Sequence, residues 1–152
     1  MITSKITIGS DHAAYELKEY IINFLQSIGL EVNDKGACSP SESVDYPDYA
    51  KYVAQEVLKG QCLGILMCGS GIGISIAANK FKGIRAALCF NQESAKLSRQ
   101  HNDSNILVLA GRPFDSERAE DAVKIVETWL NTEFEGGRHQ KRIDKITEIE
   151  GL

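Results

Sequence analysis

The segment LGILMCGSGIG, residues 63–73, decides the fold that the sequence predicts. Its first six residues are mostly aliphatic, as in a strand buried on both faces, and a glycine-rich turn follows directly. The next residues, Gly73–Asn79, are predicted to form a helix. A buried strand that passes through a tight turn into a helix is typical of parallel sheets with crossover helices. We therefore expect strands and helices to alternate on both sides of this segment.

The alternation continues toward both ends of the chain. The predicted strands are short β-rich runs at Lys5–Gly9, Glu31–Asp34, Leu63–Cys68, Arg85–Phe90 and Asn105–Ala110. The predicted helices lie at Ala13–Ser27, Tyr49–Leu58, Gly73–Asn79, Gln92–Gln100, Ser116–Leu130 and Arg138–Ile149. This order predicts an α/β protein with a three-layer α/β/α, Rossmann-like fold and a parallel sheet of about five strands. No linker or repeat marks a second domain, so residues 1–152 are expected to form one domain with a C-terminal helix at 137–150.

Length and composition fit an ordinary globular domain. The chain has 152 residues, of which 43% are hydrophobic and 25% charged, close to the averages for globular proteins. No window approaches the ~20 apolar residues of a membrane span. The first residues, Met1–Lys5, lead directly into a predicted strand without the apolar run of a signal peptide. We expect an unprocessed, cytoplasmic protein that does not contact membranes.

Charge and cysteine content exclude several further classes. The net charge of −4 and the scattered basic residues argue against a nucleic-acid partner. Four cysteines at irregular spacings, without a C-x-x-C pair, indicate reduced thiols rather than a disulfide framework. No set of His, Cys, Asp and Glu has metal-ligand spacing, so we expect no metal and no cofactor. Basic residues cluster only between Arg138 and Lys145, where they could bind one small anion.

Polar or glycine-rich residues follow three of the predicted strands. In open parallel sheets, ligands bind outside the carboxyl ends of the strands. After the first strand comes Gly9–His12, after the third comes Cys68–Gly73, and after the fifth come Gly111 and Arg112. Together they predict a binding site for a small phosphorylated ligand at this edge of the sheet.

The Cys68 loop suits an anion and a reactive thiol. It joins a strand to a helix, so its backbone N–H groups point at any ligand above the sheet. Taken alone, such a loop could equally be a tight turn, and Cys68 could be a small apolar residue that closes a strand. A cysteine at a helix N-terminus, however, is more readily ionised, and a thiolate can act as a general base.

The remaining candidates each have a structural alternative. Asp11 fits the N-cap of the first helix, and His101 could be a cation at the C-terminus of a helix. Either His12 or His101 could instead exchange protons with a ligand near pH 7. Arg138 and Arg142 are four residues apart, so on a helix they could hold one phosphate or simply form a solvated basic face.

Beside this pair, His139 and Lys141 are predicted to be surface residues.

Six motifs along the chain match those of a known family, in the same order. They are Gly9-Ser10-Asp11-His12, Asp45-Tyr46-Pro47, Cys68-Gly69-Ser70-Gly71-Ile72-Gly73, Ala77-Ala78-Asn79-Lys80, Ser98-Arg99-Gln100-His101-Asn102-Asp103 and Glu135-Gly136-Gly137-Arg138-His139-Gln140-Lys141-Arg142. The chain resembles the ribose-5-phosphate isomerase type B family from Lys5 to about Ile149.

This resemblance implies an aldose–ketose isomerase of the pentose phosphate pathway. It would interconvert D-ribose 5-phosphate and D-ribulose 5-phosphate by proton transfer through an enediolate. Cys68 would move the proton between C2 and C1, His101 would open the furanose ring, and Asp11 would assist. Ser70 would lend its hydroxyl, and the backbone of the loop would bind the enediolate through Gly69, Ser70, Gly71, Ile72 and Gly73. The rest of the sugar and phosphate site would consist of His12, Asn102, Arg112, Arg138 and Arg142.

Some relatives use a glutamate where this chain has Ile74, so here the cysteine form applies. The resemblance also implies a homodimer or a dimer of dimers, in which Cys68 and His101 of one site come from different chains. Within the family, the alternative is a hexose 6-phosphate isomerase acting on allose 6-phosphate, or on galactose 6-phosphate as one of two subunits.

Two other classes fit less well. A cysteine-dependent phosphatase would need an arginine six residues after the cysteine, and that position is Ile74. A binding module without catalysis would not need several proton-transfer groups.

Overall fold

Five strands form one parallel sheet in the computed structural model, which describes residues 1–152. The strands are β1 (Lys5–Ser10), β2 (Glu31–Asp34), β3 (Leu63–Cys68), β4 (Ala86–Leu88) and β5 (Ile106–Ala110). Their order across the sheet is β2-β1-β3-β5-β4, so β3 lies at the centre. The predicted strand Leu63–Cys68 is confirmed with the same bounds, and it pairs with β1 on one side and β5 on the other.

The chain has six helices, five of which cover the two faces of the sheet. They are α1 (Tyr15–Ser27), α2 (Tyr46–Leu58), α3 (Ile72–Ala78), α4 (Gln92–Asn102), α5 (Ser116–Leu130) and α6 (Arg138–Ile149). One face packs against α1, α4 and α5, and the other against α2 and α3. The predicted three-layer, Rossmann-like architecture is therefore confirmed. None of the helices combines the length and the apolar character needed to cross a membrane.

The core follows from the alternation of side chains along the central strands. In β3, Ile65 and Met67 join the cluster under α1 and α5, whereas Leu66 and Cys68 join the cluster under α2 and α3. Successive side chains of a strand point to opposite faces, so a strand covered on both sides must be apolar throughout. This is why an uninterrupted apolar run, rather than an alternating one, marks the centre of the sheet.

Two predicted boundaries are wrong by several residues. Helix α2 begins at Tyr46 rather than Tyr49, because Pro47 is compatible with the first turn, where its missing N–H is not needed. Strand β4 covers only three residues rather than Arg85–Phe90. At its start the side chain of Asn79 bonds to both backbone groups of Ala86, and β4 lies at the edge of the sheet.

The parallel topology places the loops at two opposite edges of the sheet. The turns after β1, β3 and β5 lie at the carboxyl ends of the strands, and we call this side of the sheet the carboxyl edge. The end of α4 leads into the start of β5, at the edge that we call the amino edge. Helix α6 contacts α4, and Glu135, just before α6, donates its N–H to the carbonyl of Gln100 at 3.1 Å. Helix α6 therefore begins beside the end of α4.

Candidate functional site

Cys68 lies at the floor of a cluster at the carboxyl edge. It is the last residue of β3, and only 4% of its surface is exposed. The loop after β5 is held against the Cys68 loop by two backbone hydrogen bonds, from Gly111 N to Cys68 O at 2.8 Å and from Arg112 N to Gly69 O at 3.0 Å. The predicted convergence of these two loops is present in the structure.

The loop above Cys68 presents unused hydrogen-bond donors. The amides of Gly69, Ser70 and Gly71 donate to no acceptor within the chain, whereas Ile72 N donates to Ser70 Oγ at 3.1 Å. Gly71 has a positive φ of 77°, and a β-carbon there would lie 3.0 Å from Leu109 O. Only glycine fits both constraints. The loop can therefore bind an anion through its backbone, next to the thiol of Cys68.

Asp11 and His12 complete the carboxyl-edge cluster. Asp11 is buried and accepts a hydrogen bond from Ala13 N at 3.0 Å, which confirms its predicted capping role, although the capped element is a 3₁₀ turn. His12 Nδ1 accepts the N–H of Val44 at 3.1 Å, so a neutral His12 carries its proton on Nε2. His12 and the exposed Arg112 line a cavity of about 500 Å³. Both side chains can donate hydrogen bonds to an anion in this cavity.

The other predicted site residues form a second cluster at the amino edge. His101 and Asn102 end α4, while Arg138 and Arg142 lie on successive turns of α6 and are exposed. The arginines that pair with carboxylates are Arg85, Arg99 and Arg118. Arg138 and Arg142 form no salt bridge with a carboxylate of the chain, so both guanidinium groups are available to bind an anion.

His139 is not the surface residue that the sequence predicts. Only 3% of its surface is exposed, and its ring is stacked on that of His101 with a centroid distance of 4.2 Å and an interplanar angle of 15°. Burial, and after it the neighbouring His101 and Arg138, lowers the pKa of His139, and the carboxylate of Glu135 opposes this shift. The neutral imidazole is therefore favoured.

His101, Glu135 and His139 also form a set of potential metal ligands, which sequence spacing did not reveal. Their ligand atoms all lie within 4.8 Å of one another. The nearly parallel rings, however, direct their in-plane lone pairs side by side rather than toward one point. Arg142 Nη1 adds positive charge 3.5 Å from His139 Nδ1. The cluster as it stands is suited to an anion better than to a cation.

The structure keeps the two clusters apart within one chain. Cys68 pairs with Ala110 at the end of β5, whereas His101 lies just before its start at Ile106. The two ends of β5 are about 13 Å apart, at roughly 3.3 Å per residue. The two clusters therefore lie toward opposite ends of β5 within one chain.

Three residues beside the site were not assigned to it from the sequence. Glu135 and His139 contact the amino-edge cluster, and Tyr46 packs on Gly73 of the Cys68 loop. All three lie in the motifs that carry the family resemblance. Membership in those motifs was the available signal, because no apolar period marks the burial of His139 or the contacts of the exposed Tyr46 and Glu135.

Comparison with known proteins gives a consistent result. Residues 6–146 match a protein family described as Ribose/Galactose Isomerase. Ribose-5-phosphate isomerase B of Escherichia coli (strain K12) is 52% identical over 147 residues, which cover 96% of this chain and 96% of that protein.

Solved structures with the same fold are also similar in sequence. Ribose 5-phosphate isomerase from Thermotoga maritima has a TM-score of 0.90 and 56% identity, covering 95% of this chain and 98% of the other. Ribose-5-phosphate isomerase B from Mycoplasma genitalium, solved with bound ribulose 5-phosphate, has a TM-score of 0.90 and 43% identity, covering 97% and 96%.

Proposed function

Because the chain belongs to the Ribose/Galactose Isomerase family, we propose that it interconverts D-ribose 5-phosphate and D-ribulose 5-phosphate. One observation carries the proposal: a buried thiol lies at the end of the central strand, beneath a loop in which three amides, those of Gly69, Ser70 and Gly71, have no acceptor. This arrangement offers a base and an anion-binding site side by side. We treat residues 1–152 as a single isomerase domain that acts in the cytosol.

The reaction requires three kinds of chemical assistance. The furanose ring must open, a weakly acidic C–H proton must move from C2 to C1, and the enediolate formed in between must be stabilised. Cys68, as thiolate, removes the proton from C2 and returns it to C1, and the hydroxyl proton of O2 passes to O1 in the same interconversion. The free amides of Gly69, Ser70 and Gly71 and the hydroxyl of Ser70 donate hydrogen bonds to the enediolate oxygen as its negative charge develops.

Ring opening is assigned to His101, assisted by Asp11. The imidazolium gives a proton to the ring oxygen while the Asp11 carboxylate accepts the proton that the anomeric hydroxyl loses, and the open-chain aldehyde results. Asp11 is buried beside the strand ends, where its carboxylate can accept a hydrogen bond from a sugar hydroxyl. Asn102 follows His101 and is exposed, so it can bind another hydroxyl.

The phosphate group is assigned to four cationic or donor side chains. His12 and Arg112 come from the carboxyl-edge cluster, and Arg138 and Arg142 from the amino-edge cluster. Binding the phosphate far from the reacting carbons supplies free energy that orients the open chain over Cys68.

A complete site on this scheme needs two copies of the chain. The carboxyl-edge cluster of one copy would face the amino-edge cluster of its partner, and a two-fold axis would generate two equal sites. The exposed apolar side chains of Ile72 and Ile76 lie on α3, that of Phe90 follows β4, and those of Ile146 and Ile149 lie on α6. Such exposed apolar groups support a homodimer, or a dimer of dimers, as the active form.

The substrate is proposed to be the pentose rather than a hexose 6-phosphate. The Mycoplasma genitalium relative was solved with ribulose 5-phosphate, a five-carbon sugar, which favours this choice. A side-by-side kinetic assay of ribose 5-phosphate and allose 6-phosphate tests it. A higher kcat/KM for ribose 5-phosphate is expected. A clear preference for allose 6-phosphate would identify the chain as a hexose 6-phosphate isomerase instead. No turnover of either sugar would refute the proposal.

A further inference from the structure

The ring of His101 rests on a second imidazole that has no assigned role. His139 lies in the first turn of α6, a helix whose only buried residues are His139 and Ile143. Its ring covers that of His101 at 4.2 Å. A histidine held almost fully out of water loses side-chain freedom and hydration, so its burial must be offset by the contacts it makes.

Those contacts connect two proposed functional groups. His139 Nδ1 lies 3.5 Å from Arg142 Nη1, and His139 Nε2 lies 3.4 Å from Glu135 Oε2 without forming a well-aligned hydrogen bond. The backbone of Glu135 is in turn bonded to Gln100, one residue before His101. One ring therefore touches the histidine assigned to ring opening, an arginine assigned to phosphate binding and the segment that joins them.

We propose that His139 is a positioning residue that fixes the plane of the His101 imidazole for ring opening and sets its distance from Arg142. This inference rests on the proposed isomerase function, since it assigns His139 a task in that reaction. His139 itself touches no reacting atom, because its ring is buried beneath that of His101.

A neutral, flat ring is well suited to this task. Burial favours the uncharged form of His139, and so do the neighbouring His101, Arg138 and Arg142. Only the carboxylate of Glu135 favours the charged form. An uncharged ring places no positive charge against the face of His101. Stacking restricts the rotation of His101, and small errors in the placement of a proton-transfer group are costly in rate.

Two substitutions separate the flat ring from its hydrogen-bonding groups. His139→Phe keeps a flat ring under His101, whereas His139→Gln keeps polar atoms and removes the ring. We expect kcat for ribose 5-phosphate to stay within about threefold in His139→Phe and to fall about tenfold or more in His139→Gln, with a smaller change in KM. Gln140→Ala, an exposed neighbour on the same turn, is the matched control and should behave as wild type.

The stacking itself is measured independently by NMR. The chain has three histidines, so the ring signals of His101 can be assigned by substitution. We expect them to be shifted upfield by the ring current of His139, and this shift to be kept in His139→Phe and lost in His139→Gln. Thermal unfolding checks that both variants are folded.

Each outcome has a definite meaning. The absence of an upfield shift in the wild-type protein would overturn the inference, as would a folded His139→Gln variant with normal kcat. A loss of kcat in His139→Phe as large as in His139→Gln would also overturn the role of the flat ring. If the wild-type protein fails to turn over ribose 5-phosphate while the upfield shift is present, the proposed function fails and the positioning role fails with it, but the stacked pair remains.

Discussion

The ring of Tyr46 lies directly against the α-carbon of Gly73. A β-carbon at that glycine would be 2.5 Å from Tyr46 Cζ and 2.8 Å from its hydroxyl oxygen. Tyr46 begins α2, and Gly73 lies in the first turn of α3, so this contact sets how closely α2 approaches the loop above Cys68.

Gly73→Ala should therefore disturb the loop rather than the core. The added methyl group collides with the ring, and either the tyrosine or the loop must move. We expect kcat to fall by about tenfold, and the double variant Gly73→Ala/Tyr46→Ala to recover part of the loss because the collision is removed. Tyr46→Ala alone is the control. Additive losses in the double variant would show that the two residues act separately.

Cys68→Ala should abolish isomerisation and spare binding. The base is lost, but the groups assigned to the phosphate remain, so turnover below a few per cent of wild type is expected, with the affinity for 5-phosphoribonate, an open-chain sugar acid, within several-fold. Cys89→Ala is the matched control, because Cys89 is also a buried free thiol but faces the opposite helix layer. Substantial turnover by Cys68→Ala would mean that another group moves the proton.

Replacing Arg138 or Arg142 by alanine should mainly weaken substrate binding. Each variant loses a charge-assisted hydrogen bond worth roughly 1.5–3 kcal/mol, which would appear as a higher KM. Arg118→Ala, an exposed arginine of α5, serves as the control. Unchanged KM values in both variants would mean that the two arginines are solvated surface residues that do not bind the substrate.

Mixed dimers test the shared site. Inactive Cys68→Ala and inactive His101→Ala chains, unfolded together and refolded, should form heterodimers with one intact site and one doubly damaged site. Random pairing makes half of the dimers mixed, so recovered activity should approach about a quarter of wild type. Heterodimers verified by mass but devoid of activity would place both residues in one chain's site.

The stability of the fold should depend on Lys18 in a pH-dependent way. This lysine is 1% exposed, and its Nζ lies 2.5 Å from Asp34 Oδ2 and 3.1 Å from Glu19 Oε1. Burial lowers the pKa of Lys18, but the hydrogen bonds to Asp34 and Glu19 outweigh it, so that the pKa lies above its ordinary value of 10.5.

A raised pKa in the folded state stabilises the protein below pH 10.5, and that contribution is lost as the pH rises through the folded-state pKa. The stability advantage of wild type over Lys18→Met, measured by urea unfolding, should therefore be largest near pH 8 and shrink above pH 10.5. An advantage that does not change with pH would contradict this assignment.

The parts that sequence predicts well are those in which one local pattern determines the outcome. Strands β3 and β5 and helix α5 were predicted to within a residue, because continuous apolar runs and helical periodicity respond to burial directly. Asp11 was predicted as a cap because its neighbours alone decide that role.

The burial of His139 could not be predicted in the same way. It lies among charged residues, and its environment is created by α4, a helix from a distant part of the chain. The start of α2 at Tyr46 was missed for a different reason, since the first turn holds polar residues and a proline instead of the apolar repeat. The burial of His139 is decided by a tertiary contact that no local pattern encodes, whereas the start of α2 follows from a local signal, a proline in the first turn, that the apolar repeat does not contain.

Because Cys68 and His101 lie at opposite edges of the sheet, a monomer would be catalytically inactive if each site is shared between two chains as proposed. Activity would then depend on dimerisation. At chain concentrations well below the dissociation constant of the dimer, the concentration of complete sites rises with the square of the chain concentration, so doubling the chain concentration would raise activity about fourfold. An enzyme whose site lies within one subunit would respond in simple proportion.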